Sequence, residues 1–186
     1  MLALSACSAA APPPPQPIPG KVFVENRLDP KIRAEALASG HPISPDTPMR
    51  VHVYVTPLDK DEFNRVLSAP ADSHSPMYGH QLTLADLKRF ERPLSQYEDV
   101  ERWLSSYGIK TLSADTEASV RTIRTEGAAG QFERALNIVI EQSADNMWFA
   151  NRSEPQIPER LNGIIGGFAG LDNLSAYSGG PKIGVQ

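Results

Sequence analysis

One cysteine, Cys7, stands in 186 residues. The chain therefore closes no disulfide within itself and builds no cysteine-rich metal site. His41, His52, His74 and His80 are its only histidines. No two of them have a metal-binding helical spacing, and a closed site needs three or four convergent ligands. A basic excess is lacking as well. The formal net charge is −4, which leaves no electrostatic footprint for nucleic acid. No stretch approaches the ~18 apolar residues of a membrane-spanning helix. Gly163, Gly166, Gly167 and Gly170 lack the lysine and hydroxyl residue of a phosphate loop, and read as close packing in a strand and its exit turn. No G-x-S-x-G elbow is present, and Ser178-Gly179-Gly180 has no base nearby in sequence. Asp86, Glu91, Glu98, Asp99 and Glu101 are interleaved with Lys88, Arg89, Arg92 and Arg102. That is the pattern of a solvated ion-pair face, not of a catalytic pair. Neither catalysis nor a cofactor is expected of this chain.

What is present is an ordinary globular composition, 40% hydrophobic and 22% charged, enough for one domain of roughly 120 residues with appendages. Proline is plentiful at 17 residues, and six of them fall between positions 12 and 19. Such a tract prefers a solvated polyproline helix, buries no core and acts as a spacer. Just before it, Leu4-Ser5-Ala6-Cys7 is similar to a lipobox, in which small residues precede a cysteine that becomes lipidated. Residues 1–20 thus read as a lipoprotein-type signal remnant and tether. The expected location is the bacterial cell envelope or the secreted space, with membrane anchoring through lipid on Cys7. Met1 to Leu4 supply no basic region and hardly any hydrophobic one. Either the signal begins upstream, or the likeness is accidental.

Residues 21–48 read as an extended lead-in. Val22-Phe23-Val24 suits a short strand, and Asp29 to Ala38 suits one helical piece ended by Gly40. Pro42, Pro45 and Pro48 then speak against regular structure. The compact domain is placed at 49–171, with 172–186 as a linker tail. Within it, Val51, Val53 and Val55 alternate with Arg50, His52 and Tyr54, the signature of a half-buried strand. Thr56-Pro57-Leu58-Asp59 predicts a capped helix with Phe63, Val66 and Leu67 on its apolar stripe. Ser95 to Glu98 predicts a second capping box, ahead of a face made by Val100, Trp103, Leu104 and Tyr107, with Gly108 at a left-handed cap. Strands follow at Ile109 to Leu112 and Ser119 to Arg124. A helix is predicted from Gly127 to Asn137 with Phe132 on its buried side. Two further strands, Ile138–Ile140 and Met147–Ala150, meet at a turn near Asp145-Asn146. Pro155 and Pro158 bracket a turn, and an apolar strand lies between Arg160 and Phe168. The order is that of a split βαβ, ferredoxin-like plan: an α+β fold, an antiparallel sheet with helices on one face.

The segment Ser75-Pro76-Met77-Tyr78-Gly79-His80-Gln81-Leu82-Thr83 reads as a turn that delivers a helix. Pro76 and Gly79 punctuate the backbone. Thr83 and Asp86 form a capping box before Leu84 and Leu87. Tyr78 and Leu82 are expected to pack, fixing that helix onto the sheet. This turn resembles the P-x-Y-G-x-x-L-T turn of the activation propeptide of the sedolisin family, the pro-kumamolisin activation domain. Further likeness lies in Val100-Glu101-Arg102-Trp103-Leu104 with Gly108, in Gly127 to Leu136 with Phe132, and in Ile157-Pro158, Leu161 and Gly170-Leu171. The resemblance spans about Met49 to Leu171. It implies a propeptide that packs against a subtilisin-like catalytic domain, assists its folding, blocks its active site and is released at acid pH. The tail from Asp172 to Gln186 would then thread toward the protease. The family's catalytic serine in an S-G-T-S context, with its acidic partners, lies on a downstream domain. None of it is found between Met1 and Gln186, so the chain is expected to be the inhibitor without the enzyme, acting in cis or in trans.

Overall fold

The computed structural model describes residues 16–24, 29–117 and 121–174. In chain order its elements are β1 (Lys21–Phe23), α1 (Pro30–Ala36), β2 (His41–Pro42), β3 (Pro48–Val55), α2 (Lys60–Ser68), α3 (Leu84–Leu87), α4 (Leu94–Ser105), β4 (Lys110–Asp115), β5 (Thr122–Ala128), α5 (Ala129–Leu136), β6 (Ile140–Gln142), β7 (Phe149–Asn151), β8 (Gln156–Pro158) and β9 (Ile165–Ala169).

The principal sheet has four strands in the order β4-β5-β3-β9, each antiparallel to its neighbour. Counted from the β9 edge, these are its fourth, first, third and second strands in sequence. That is the split βαβ order, with a hairpin inside two helical crossovers, so the fold is ferredoxin-like as the pattern predicts. The alternation in β3 decides which face is buried. Met49, Val51, Val53 and Val55 are buried, while Arg50, His52 and Tyr54 take the other side. Tyr97, Val100, Trp103 and Leu104 of α4 and Phe132, Ala135 and Leu136 of α5 close over the valines in one continuous core. Burying each valine, leucine or phenylalanine among them contributes roughly 1.5–3 kcal/mol. The one polar group on the core face of β5 is provided for, since the buried Thr125 hydroxyl donates to the Val51 carbonyl at 2.7 Å.

The helix ends repay close reading. Asp59, not Thr56, caps α2, its Oδ1 accepting the Glu62 amide at 3.0 Å. Thr56 is occupied elsewhere: its amide donates to the Ile164 carbonyl at 2.8 Å, and its hydroxyl to the Gly163 and Ile164 carbonyls. The threonine thus ties the end of β3 to the turn before β9. The capping box expected at Ser95 to Glu98 is also absent. Pro93 occupies the cap position without a side-chain bond, which puts Ser95 inside α4. At the far end of α4, Gly108 does take a left-handed conformation (φ +79°), as a helix-terminating glycine should. α5 is shorter than predicted, because Gly127 and Ala128 complete β5. The Gln131 Oε1 receives the Ala128 amide at 2.7 Å and so opens the helix.

The segment 21–48, read from sequence as a lead-in, is woven into the body. β1 pairs with β8, and β2 with β6 in a three-stranded sheet β2-β6-β7. The predicted turn between Pro155 and Pro158 is strand β8. Proline is tolerated there because Pro158 ends a two-stranded ladder opposite Lys21, where one N–H fewer costs little. The ordered body also runs past Leu171, because Ala150 bridges Asp172 and Leu174 is fully buried.

Candidate functional site: the open face of the sheet

The helices cover one face of the principal sheet. The other presents three cross-strand rows. Arg50 stands opposite Glu126, itself opposite Lys110. His52 has Ala169 on one side and Arg124 on the other, with Ser113 beyond. Tyr54 has Gly167 on one side, with Thr122 and then Asp115 on the other. Leu112 occupies a bulge in the edge strand β4 between Thr111 and Ser113. Tyr54 and Leu112 are each 45% exposed. They stand apart, Tyr54 on β3 and Leu112 two strands away on β4, as single apolar side chains on a largely polar face. The small residues Gly167 and Ala169 beside β3 leave Tyr54 and His52 unscreened on that flank.

Charge frames these apolar residues. Arg124 donates to the Ser113 hydroxyl at 3.0 Å and pairs with Asp115 at 2.8 Å, while Lys110 meets Glu126 at 3.4 Å. All are solvent-accessible pairs, worth at most about 1 kcal/mol each to the fold. They order the side chains of the face more than they stabilise it. At the end of the sheet where β3 stops, two arginines bolt on the segment 56–93. Arg92 closes the segment on itself through the carbonyls of Thr56 (2.6 Å) and Pro57 (3.3 Å), and reaches outside it to Gln96 Oε1 (2.7 Å) and to the Gly163 carbonyl before β9 (2.5 Å). Arg121 donates to the Val55 carbonyl at 3.2 Å, with its guanidinium 4.4 Å from the centre of the Phe63 ring. Burial draws both arginines below their ordinary pKa, with Tyr97 opposing the shift in each. Burial likewise raises the Tyr97 phenol.

The residues singled out in the sequence divide into two groups. Trp103, Phe132 and Leu171 are buried in the main core, and Trp103 packs edge-on against Tyr107 at 6.4 Å. Gly127 closes β5 under Phe132, and Pro158 ends β8. Gly170 (φ +95°) turns the chain so tightly that a Cβ would overlap the Arg50 carbonyl oxygen. By contrast, Pro76, Tyr78, Gly79 and Thr83 are exposed, and Leu82 is half-buried. Tyr78 does not pin the helix to the sheet; it is 60% exposed. The turn keeps its shape by other means. Backbone bonds run from Ser75 to Asp72, Tyr78 to Ser75, Gly79 to Pro70 and His80 to Met77. Ser75 Oγ and Asp72 Oδ1 take the amides of Met77 and His74. What α3 meets is a small separate cluster of Phe63, Leu87 and Phe90, not the sheet.

Sequence reading overlooked the open face itself. The alternation placed Arg50, His52 and Tyr54 together, but their company on β4, β5 and β9 depends on register. Cys7, residues 175–186 of the linker expected at 172–186, and Ser119 and Val120 of the strand expected at Ser119 to Arg124 lie outside the described residues. Among the described residues no three metal-ligating side chains converge.

A profile of the family described as Pro-kumamolisin, activation domain, matches residues 35–174. A search of curated proteins returns no match.

Proposed function

Because the chain belongs to the pro-kumamolisin activation domain family, whose members are propeptides of sedolisin-type proteases, we propose that it acts as chaperone and inhibitor for such a protease by docking the open face of its sheet on the catalytic domain. A domain of this family is not itself catalytic and associates with a protease catalytic domain. The observation that carries the finer reading is the half-exposed Tyr54 on a paired, charge-framed sheet face, with the exposed Leu112 on its edge strand β4. Aromatic anchors within a polar rim are the anatomy of a binding hot spot. A module that binds the native protease, and not its unfolded chain, stabilises the native state by mass action. The chain after Gly170 is then led toward the active site. Acid releases the complex because carboxylates of the interface lose their charge, and with it their part in the pattern that the partner meets.

Mixing the purified chain with a sedolisin catalytic domain at neutral and at acid pH tests this reading. A complex with inhibition at neutral pH, dissociating at acid pH, is expected; no complex at either pH would sink it. A second reading rests on Leu4-Ser5-Ala6-Cys7 followed by the proline tract. In it the domain is held at the bacterial envelope through lipid on Cys7 and serves a protease in trans. Mass spectrometry of membrane fractions decides it, and an unmodified, soluble Cys7 counts against the anchor.

A further inference from the structure

The last described residues are held more firmly than a linker requires. Asp172 forms an antiparallel bridge with Ala150 of β7. The Asn173 amide donates to the Phe149 carbonyl at 3.1 Å. The Asn173 side chain accepts the Phe149 amide at 2.7 Å and donates to the Met147 carbonyl at 2.9 Å. Leu174 is completely buried, in a cluster with Leu37 and Ala150 that Ile32, Ala36 and Trp148 complete. This cluster is separate from the main core. Its lid is α1, from the segment that precedes the principal sheet. α1 is itself fastened to the same side: Arg33 donates to the Arg152 carbonyl at 3.1 Å, and Arg152 pairs with Glu141 at 2.8 Å.

α1 is too short to be stable alone, since isolated helices under about 12 residues are marginal in water. Among the described residues, its apolar side chains Ile32 and Ala36 pack in the cluster of Leu37, Trp148, Ala150 and Leu174. The exit segment, in turn, has the Asp172 bridge, the bonds of Asn173 to Phe149 and Met147, and one buried leucine, and that leucine packs under α1. Each therefore depends on the other, while the principal sheet depends on neither.

We propose that α1 is a clamp on the exit of the domain: it holds Asp172–Leu174 as an added rung of the β2-β6-β7 sheet and so fixes the point from which the following chain is delivered. Its consequence for inhibition rests on the reading in which that chain enters the protease active site. With the clamp closed, the bonds through Leu174 are withheld from proteolysis and the next residues leave at one defined place. With it open, docking on the sheet face persists, but the inhibitory segment is no longer aimed.

Native-state hydrogen exchange on the full chain tests the clamp without any protease. The wild type and the double variant Ile32→Ser/Leu37→Ser are compared. The Asn173 amide is expected to be protected in the wild type and to exchange on the order of tenfold or more faster in the variant, with β3 and β5 amides unchanged. The milder Leu174→Ala is expected to loosen the Asn173 and Leu37 amides together, since coupling is reciprocal. Unchanged protection of Asn173 in both variants overturns the proposal. So does equal loss at β3 and β5, because α1 would then belong to the global core. With a sedolisin catalytic domain, the double variant is expected to keep its affinity within about threefold while losing on the order of tenfold in inhibition. A wild type that inhibits nothing removes the proposed function, and the exchange result still decides the clamp.

Discussion

Trp103 on α4 and Tyr78 in the turn before α3 both belong to the residue pattern that resembles the family's, and they meet opposite fates. Trp103 is 4% exposed, inside a core that joins every strand of the principal sheet but β4 to two helices. Tyr78 is 60% exposed, on a turn whose form comes from its own backbone bonds and from Ser75 and Asp72. The segment 56–93 carries its own small cluster, Phe63, Leu87 and Phe90, with Phe63 and Phe90 edge-to-face at 5.3 Å. It is joined to the sheet by Arg92, Arg121 and Thr56 more than by apolar packing. An aromatic residue in a recurrent pattern can thus serve the core or the surface, and the pattern alone does not say which.

Substitutions separate the two regions. Phe132→Ala, in the main core, is expected to cost about 3–5 kcal/mol in denaturant unfolding, because the close-packed surroundings cannot collapse onto the cavity. Phe90→Ala removes the centre of the small cluster and the ring over which the Arg89 guanidinium lies at 4.8 Å. About 3 kcal/mol is expected, at the low end for a buried aromatic. Its exchange signature is confined to 57–93 while β3 and β5 stay protected. Equal loss of protection in the sheet would show that the segment is not a separate unit. Thr83→Ala breaks the capping box of α3, in which the Thr83 amide and hydroxyl reach Asp86 Oδ2 at 2.8 and 2.7 Å, and is expected to cost about 1 kcal/mol. Tyr78→Ala is expected to change stability by no more than about 0.5 kcal/mol. A loss like that of Phe90→Ala would put Tyr78 back in the core.

Acid sharpens the contrast. Bonds from the Thr83 hydroxyl and amide hold the Asp86 carboxyl below its ordinary pKa. The folded value is lower than the unfolded one, so this cap is fully present above the unfolded pKa of about 4 and is lost as pH falls through the folded value. The Thr83 amide resonance should shift along that descent in the wild type and stay flat in Asp86→Asn, with α4 and α5 resonances unaffected.

Much of this was legible in the residues. Val51, Val53 and Val55 announce β3 and its buried side, and Gly108 announces the end of α4. Thr83 and Asp86 announce the capping box that forms. Other features depend on partners far along the chain. Thr56 has every local property of a helix cap, and the carbonyls at 163 and 164 take it instead. Val22 and Ile157 each sit in a weak three-residue run that becomes a strand only because the two pair. Pro155 and Pro158 look like turn residues because proline is a turn residue in isolation. The open face needs the register of four strands, which no local window contains.

On the proposed reading this face, with Tyr54 in the row where β3 ends, is what a sedolisin-type catalytic domain meets. The direct measurement is the affinity of wild type and Tyr54→Glu for such a domain at neutral pH, with melting temperatures taken alongside. An outward, half-exposed residue can be changed with little cost to the fold. The expected result is equal melting temperatures and an affinity weaker by on the order of tenfold or more. Equal affinity, with both proteins folded and bound, would contradict it.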